Sequence, residues 1–232
     1  MSRAPGGPSR LSAREALGLS QLQRLLQSVN GVEAAPVQHF LVSAGEREQL
    51  CPGASPDEAL LVSHREMSLG ELRVGLFLSD DVLAQLSRGH AEPWTQNRLN
   101  GFCQAAEGVS HFLYLNHRAQ AERQVSLLEL EAQGELDKYL CVLLQLWAAG
   151  KREASPELRA SLFGEWHPRA ELNPQERERY RLASVLAAAT AKVLEVRYVL
   201  AGRLEGLLRE VRRIYRLGGG EKLSALAQGM AA

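Results

Sequence analysis

The chain has 232 residues, of which 45% are hydrophobic and 23% charged, which excludes a wholly disordered protein and is typical of a globular one. Lysine plus arginine and aspartate plus glutamate number 27 each, so net charge alone favours no polyanionic partner. The three widely spaced cysteines disfavour a disulfide framework or a structural zinc site, and no apolar run approaches the roughly 20 residues that span a bilayer. We expect a soluble, cytoplasmic protein that does not span a membrane.

The N-terminal part of the chain begins with a tail and a helix. Residues 1–10 are rich in proline, glycine, serine and arginine and predict a disordered tail. Ser12 and Glu15 have the spacing of a capping box, in which each side chain satisfies a free backbone N–H at the start of a helix. That helix is predicted to end at Asn30-Gly31, because both residues tolerate a left-handed backbone.

Residues 36–79 predict strands instead. Val37–Val42 has the composition of a short strand, and Ala59–Arg65 and Glu71–Leu78 predict a β-hairpin whose turn ends at Gly70. So small a sheet is not stable alone in water, and we expect it to pack on helices. Ser79 then caps a short helix.

Two long helices are predicted in the rest of the chain, over 102–149 and 174–216. In each, apolar residues recur at steps of three and four, with Arg197 the one polar interruption in the second. Leu200 and Leu204 belong to that predicted apolar face. The second helix begins with the capping motif Asn173-Pro174-x-Glu176.

The first long helix has one possible break, near Gln124. There the motif Ser126-x-x-Glu129 has the spacing of an internal capping box, although neither glycine nor proline supports a turn. Residues 150–173 are predicted to connect the two long helices through a short helix that begins at Ser155-Pro156.

The two long helices are predicted to pack side by side in opposite directions. The end of the first is bulky and includes Tyr139, Leu143 and Trp147, whereas the second begins its core with small residues. Large side chains against small ones pack well at close range. The small residues are Ala183, Ala187, Ala188, Ala189 and Ala191.

These elements predict a helix-dominated α+β fold. A small N-terminal lobe with a β-hairpin and helices, residues 11–99, packs on two long antiparallel C-terminal helices, residues 100–217 with the short linker helix. Residues 1–10 and 218–232 are predicted to be tails.

One group of residues has the chemistry of a metal site. Glu107 and His111 lie one turn apart on a helix face, and Glu131 and Glu135 follow further along. Bundle metal sites need two Glu-x-x-His units plus two glutamates, and this chain has no such unit. The alternative is that Glu107 pairs with arginines, and that Glu131 and Glu135 face water or Lys138.

A second group is basic. The end of the second long helix carries Arg209, Arg212, Arg213 and Arg216, which could bind a polyanion such as a nucleic acid. The alternative is that these arginines favour the helix dipole and are neutralised by nearby glutamates.

No catalytic residues and no cofactor are predicted, because no known catalytic motif is present with its required spacing. The leading hypothesis is therefore a non-enzymatic helical interaction or scaffold protein that binds a protein partner or itself. The alternatives are a metal-dependent enzyme or metal-binding protein using Glu107, His111 and Glu129–Glu135, and a nucleic-acid-associated factor using Arg209–Arg216.

Overall fold

A computed structural model describes residues 2–3, 11–52, 57–64, 72–88, 94–164 and 172–230. Helices dominate these residues and are accompanied by one small sheet, which confirms the helix-dominated α+β class. The chain divides into two compact units, the first made of residues 1–27 and 32–121 and the second of residues 28–31 and 122–232. No helix within the described ranges has the length and apolar content needed to cross a bilayer.

The first unit contains four helices and a sheet among its described residues. The helices are α1 (Ala13–Asn30, whose last turn belongs to the second unit), α2 (Ala44–Leu50), α3 (Asp80–Leu86) and α4 (Gln96–Gln120). The strands are β1 (Ser2–Arg3), β2 (Glu58–His64) and β3 (Leu72–Leu78), in the order β1-β3-β2.

The predicted hairpin strands are confirmed. β2 and β3 are antiparallel, with Glu58 opposite Leu78 and Val62 opposite Val74, whereas β1 pairs with β3 in parallel. The predicted turn ending at Gly70 and most of the predicted tail, residues 1 and 4–10, lie outside the described residues.

The sheet packs closely on α4. A Cβ at Gly108 would lie 2.9 Å from Leu76 and from the Glu58 side chain, so only glycine allows this approach. The buried residues Val74 and Leu76 of β3 and Val109 of α4 contribute to the core on this side.

One predicted strand is wrong. Val37–Phe40 forms a 3-10 helix, and only Leu41 makes an isolated bridge, to Leu76 of β3. Pro36 precedes this turn with a φ of −56°, and the Val37 N–H is bonded to the Gln23 side chain of α1. That N–H is therefore satisfied by a side chain rather than by a strand partner.

The second unit contains five α-helices among its described residues. They are α5 (Leu127–Ala148), α6 (Ser155–Phe163), α7 (Pro174–Leu194), α8 (Leu204–Arg216) and α9 (Gly219–Ala227). The break that the sequence left open near Gln124 is present, because α4 ends at Gln120 and α5 begins at Leu127. The Ser126–Glu129 capping box is complete, with both reciprocal hydrogen bonds.

The predicted second long helix is also interrupted. After α7, residues Glu195–Val199 form a π-helix, which ends in a turn at Gly202 with a φ of +68°. The hydrogen bonds Leu200 N to Glu195 O and Arg203 N to Tyr198 O, at 3.0 and 2.8 Å, span five residues instead of four. The prediction of one continuous helix over 174–216 is therefore wrong.

α5 packs along α7, but not in the predicted sense. Glu131 and Arg179 form an ion pair of 3.9 Å near the starts of the two helices. Glu195, beyond the end of α7, acts electrostatically on Tyr139 further along α5. These contacts advance in the same order, so the predicted antiparallel sense does not apply to α5 and α7.

The connection explains this difference. α5 is roughly 33 Å long at 1.5 Å rise per residue. Residues 149–173 reach much further when extended, at roughly 3.3 Å per residue, so the chain can return to the start of α5 before α7 begins. Large residues of α5 and small residues of α7 that the sequence placed in the core are fully buried. They are Tyr139, Leu143, Ala183, Ala187 and Ala191.

Candidate interaction surface

The predicted metal ligands are divided between the two units. Glu107 and the buried His111 lie on α4 in the first unit, whereas Glu131 and Glu135 lie on α5 in the second. Glu135 accepts a hydrogen bond of 2.8 Å from Lys138, as the alternative to metal binding predicted. Metal binding by this set stays a prediction.

Two of the four predicted polyanion-binding arginines are engaged within the second unit. Arg212 donates hydrogen bonds of 2.8 and 3.3 Å to the carbonyls of Ser28 and Val29 at the end of α1. Arg213 forms a bidentate pair with Glu210, and these hydrogen bonds are the main cause that lowers the pKa of Glu210. Arg209 and Arg216 are exposed. Polyanion binding by this group stays a prediction.

A buried polar network joins α9 to α5. Lys222 is fully buried and donates a hydrogen bond of 2.6 Å to the side-chain carbonyl of Gln133. The Gln133 amide donates in turn to Asp137 at 2.9 Å, and Asn30 also donates to that carboxylate at 3.1 Å. The amide of Gln133 thus bridges a buried cation and a buried carboxylate.

The network shows that the predicted C-terminal tail contains a docked helix. Its first residue, Gly219, donates a backbone hydrogen bond of 2.7 Å to Glu129. Glu129 was identified from sequence as a capping residue, but this second contact links residues 90 positions apart. No local spacing rule indicates a contact over that separation.

A second buried polar cluster lies on the inner side of the π-helix. Glu195, its first residue, is 3% exposed and forms an ion pair of 3.4 Å with Arg159 of α6. Tyr139 and Ser155 are fully buried beside this pair. Burial and then the charge of Glu195 raise the pKa of Tyr139 well above its ordinary value, whereas Arg159 and the Ser155 hydroxyl act in the opposite direction.

This inner cluster has unusual hydrogen bonding. Three buried oxygen atoms in the described part of the chain have no partner at hydrogen-bonding distance and angle. They are the Tyr139 hydroxyl, the Ser155 hydroxyl and Glu195 Oε2. The Ser155 hydroxyl lies close enough to Tyr139 to lower the pKa of Tyr139, but the two hydroxyls are not aligned for a hydrogen bond. Each unsatisfied buried group costs about 1–3 kcal/mol. Glu195 is thus buried in an ion pair with Arg159, while its second carboxylate oxygen, Oε2, lacks a hydrogen bond and lowers the stability of the fold.

The outer side of the same segment is apolar and exposed. Val196 is 61% exposed, Leu200 50% and Leu204 37%, and the three are separated by four residues each. The cations Lys192, Arg197 and Arg203 are exposed around them. We call these six residues the α7–α8 surface.

The sequence placed Leu200 and Leu204 in the core, and that prediction is wrong. A π-helix has more residues per turn than an α-helix, so each residue after Glu195 is rotated relative to the α-helical pattern. The apolar face of α8 is consequently out of phase with that of α7. Leu207, Val211 and Ile214, which the same periodicity placed in the core, are buried as predicted. Arg197, which interrupted the apolar pattern, was the one signal of this change.

The comparisons with known proteins identify no relative. No family model, no characterised protein and no solved structure matches this chain.

Proposed function

We propose that this protein is a non-enzymatic, cytoplasmic helical interaction protein that binds a protein partner through the α7–α8 surface. The observation that carries this proposal is the exposure of Val196, Leu200 and Leu204 at regular spacing on one segment. A single exposed aliphatic residue needs no explanation, but a group rimmed by polar residues is typical of a protein interface.

The energetics support the same proposal. Burying apolar surface contributes roughly 25 cal/mol per Å², or about 1.5–3 kcal/mol for a fully buried valine or leucine side chain. A partner that covers the three aliphatic residues would gain roughly half of this free energy for each, because these residues are only 37–61% exposed. The free, exposed thiol of Cys51 suits a reducing compartment and supports a cytoplasmic location.

Site-specific photo-crosslinking in cells of origin tests the proposal. A photoreactive amino acid at Val196 is expected to give one discrete crosslinked protein, identified by mass spectrometry. The Leu200→Glu substitution should abolish this product, because it places a charge in the centre of an apolar contact. Its effect on folding should be small, since Leu200 is half exposed.

Leu127 provides the matched control, because it is 59% exposed on α5 in the same unit but lies outside the α7–α8 surface. A photoreactive group at Leu127 should not give the product, and Leu127→Glu should leave the crosslink from Val196 intact. Equal crosslinking from both positions, or none from Val196, would count against the proposal.

A further inference from the structure

We infer that the α7–α8 surface recognises an acidic amphipathic helix. This inference rests on the proposed function and adds the chemical class of the partner. It follows from three properties of the surface, which are its apolar spacing, the sign of its charged rim and the engagement of nearby acidic residues.

The apolar spacing favours a helix as the partner. Val196 and Leu200 lie four residues apart and are exposed before the turn at Gly202, and Leu204, also exposed, begins α8 directly after that turn. An amphipathic helix presents its own apolar residues at steps of three and four, and such anchors bind an apolar strip of matching length.

The rim of the surface is basic. Lys192, Arg197 and Arg203 are exposed, and Glu205 is the exposed acidic residue that follows them in the chain. Three positive charges and one negative charge leave a surplus of two. Complementary charges set specificity and the rate of association, so a partner with an acidic rim is favoured.

Two other acidic residues near this segment are already engaged. Glu195 is buried in its ion pair with Arg159. Glu210 accepts two hydrogen bonds from Arg213, which are the main cause that lowers the pKa of Glu210, and the charge of Arg197 is a smaller cause. These pairings leave the basic rim incompletely neutralised by the chain itself.

The same charges argue against a second copy of this chain as the occupant. A symmetric dimer places the same surface against itself, so each basic rim would meet a basic rim. Like charges brought together across an interface are repulsive, which disfavours such a dimer. The partner is therefore a different segment with acidic side chains beside its apolar face.

Two designed peptides test the inference directly. Both have about 18 residues and leucine at helical i, i+3, i+4 and i+7 positions; the other positions are glutamate and alanine in one peptide, and lysine and alanine in the other. Fluorescence anisotropy with the full chain should show at least about tenfold tighter binding of the acidic peptide at low salt. Its affinity should fall as salt rises, because the rim charges are exposed.

Variants of the surface separate charge from apolar contact. Arg197→Glu combined with Arg203→Glu should reverse the preference towards the lysine peptide, whereas Leu200→Glu should abolish binding of both peptides. Arg14→Glu combined with Arg24→Glu is the matched control, since both residues are exposed and lie on α1 rather than on the surface. That control should keep the preference for the acidic peptide.

The outcomes distinguish this inference from the proposed function. Equal or tighter binding of the lysine peptide, or no binding of either peptide, overturns the inference. If the crosslink from Val196 persists in that case, the interaction function stands and only the acidic class of partner is wrong. Circular dichroism of each variant confirms that it is folded, so that loss of binding is not loss of structure.

Discussion

Several polar side chains of the second unit are buried, and their hydrogen bonds and charges affect the free energy of unfolding. Tyr139 is the clearest case, because its ring packs 6.3 Å from that of Phe163 while its hydroxyl is buried beside the Glu195–Arg159 pair. The hydroxyl has no hydrogen-bond partner of full geometry among the described residues. It therefore lowers stability already at neutral pH, and its ionisation adds a second effect at high pH.

The pH dependence of unfolding follows from this position. The pKa of Tyr139 is raised above its ordinary value of 10.0, so above pH 10 the unfolded chain releases a proton that the folded chain retains. The unfolded state is thereby favoured, and the free energy of unfolding falls as pH rises above that value. Tyr139→Phe should show a shallower fall between about pH 9 and about pH 11. At pH 7 it should be more stable than the original protein by up to about 1–3 kcal/mol, because it removes a buried hydroxyl that has no hydrogen bond.

Urea denaturation at several pH values measures both effects. Tyr198→Phe is the control, because Tyr198 lies on the π-helix outside the Glu195–Arg159 cluster. An unchanged slope in Tyr139→Phe would contradict the assignment of a raised pKa to this residue.

At the scale of elements, the π-helix and the turn that follows it decide which face of α8 is buried. Glu195 is held inward by Arg159, and Gly202 adopts a left-handed backbone that ends the segment before α8 begins. Together they place Val196 and Leu200 outward. The α7–α8 surface therefore depends on this interruption.

Substitution of two glycines tests the interruption. Gly202→Ala should destabilise the protein by about 1–2 kcal/mol, because an L-residue is strained at a φ of +68°. Gly220→Ala is the matched control, since Gly220 lies in α9 with no atom within 4 Å of an added Cβ, and it should stabilise by about 0.5–1 kcal/mol. Stabilisation by Gly202→Ala in urea denaturation would instead indicate a continuous helix.

At the scale of the whole molecule, the chain divides into two compact units, and it passes between them at 27–28, at 31–32 and at 121–122. Residues 121–124 are exposed, and Glu122 has a φ of +51°, which no continuous helix allows. The stretch that the sequence predicted as one helix over 102–149 therefore contributes α4 to one unit and α5 to the other.

An insertion tests this division. A Gly-Ser-Gly-Ser insert between Glu122 and Arg123 should leave helical content nearly unchanged, because the backbone there is exposed and outside both helices. The same insert between Leu140 and Cys141, which are buried within α5, should unfold the second unit. Circular dichroism measures both outcomes, and equal damage by the two inserts would contradict a break at 121–126.

Local chemistry in the sequence determined the features that depend on neighbouring residues. The capping boxes at Ser12, Ser126 and Asn173 could be predicted because each joins residues three positions apart. The antiparallel pairing of β2 with β3 could be predicted because the two strands follow one another in the chain. The apolar periodicity also indicated the helix-dominated class correctly, since helical spacing is a local property.

Only the tertiary structure decided the direction of α7 relative to α5, the π-helix at Glu195 and the docking of α9 through Lys222. Each depends on contacts between residues far apart in the chain, such as Glu195 with Arg159 and Lys222 with Gln133. A buried ion pair can select a helix geometry that local propensity disfavours, and that selection moves Leu200 from the predicted core to the surface.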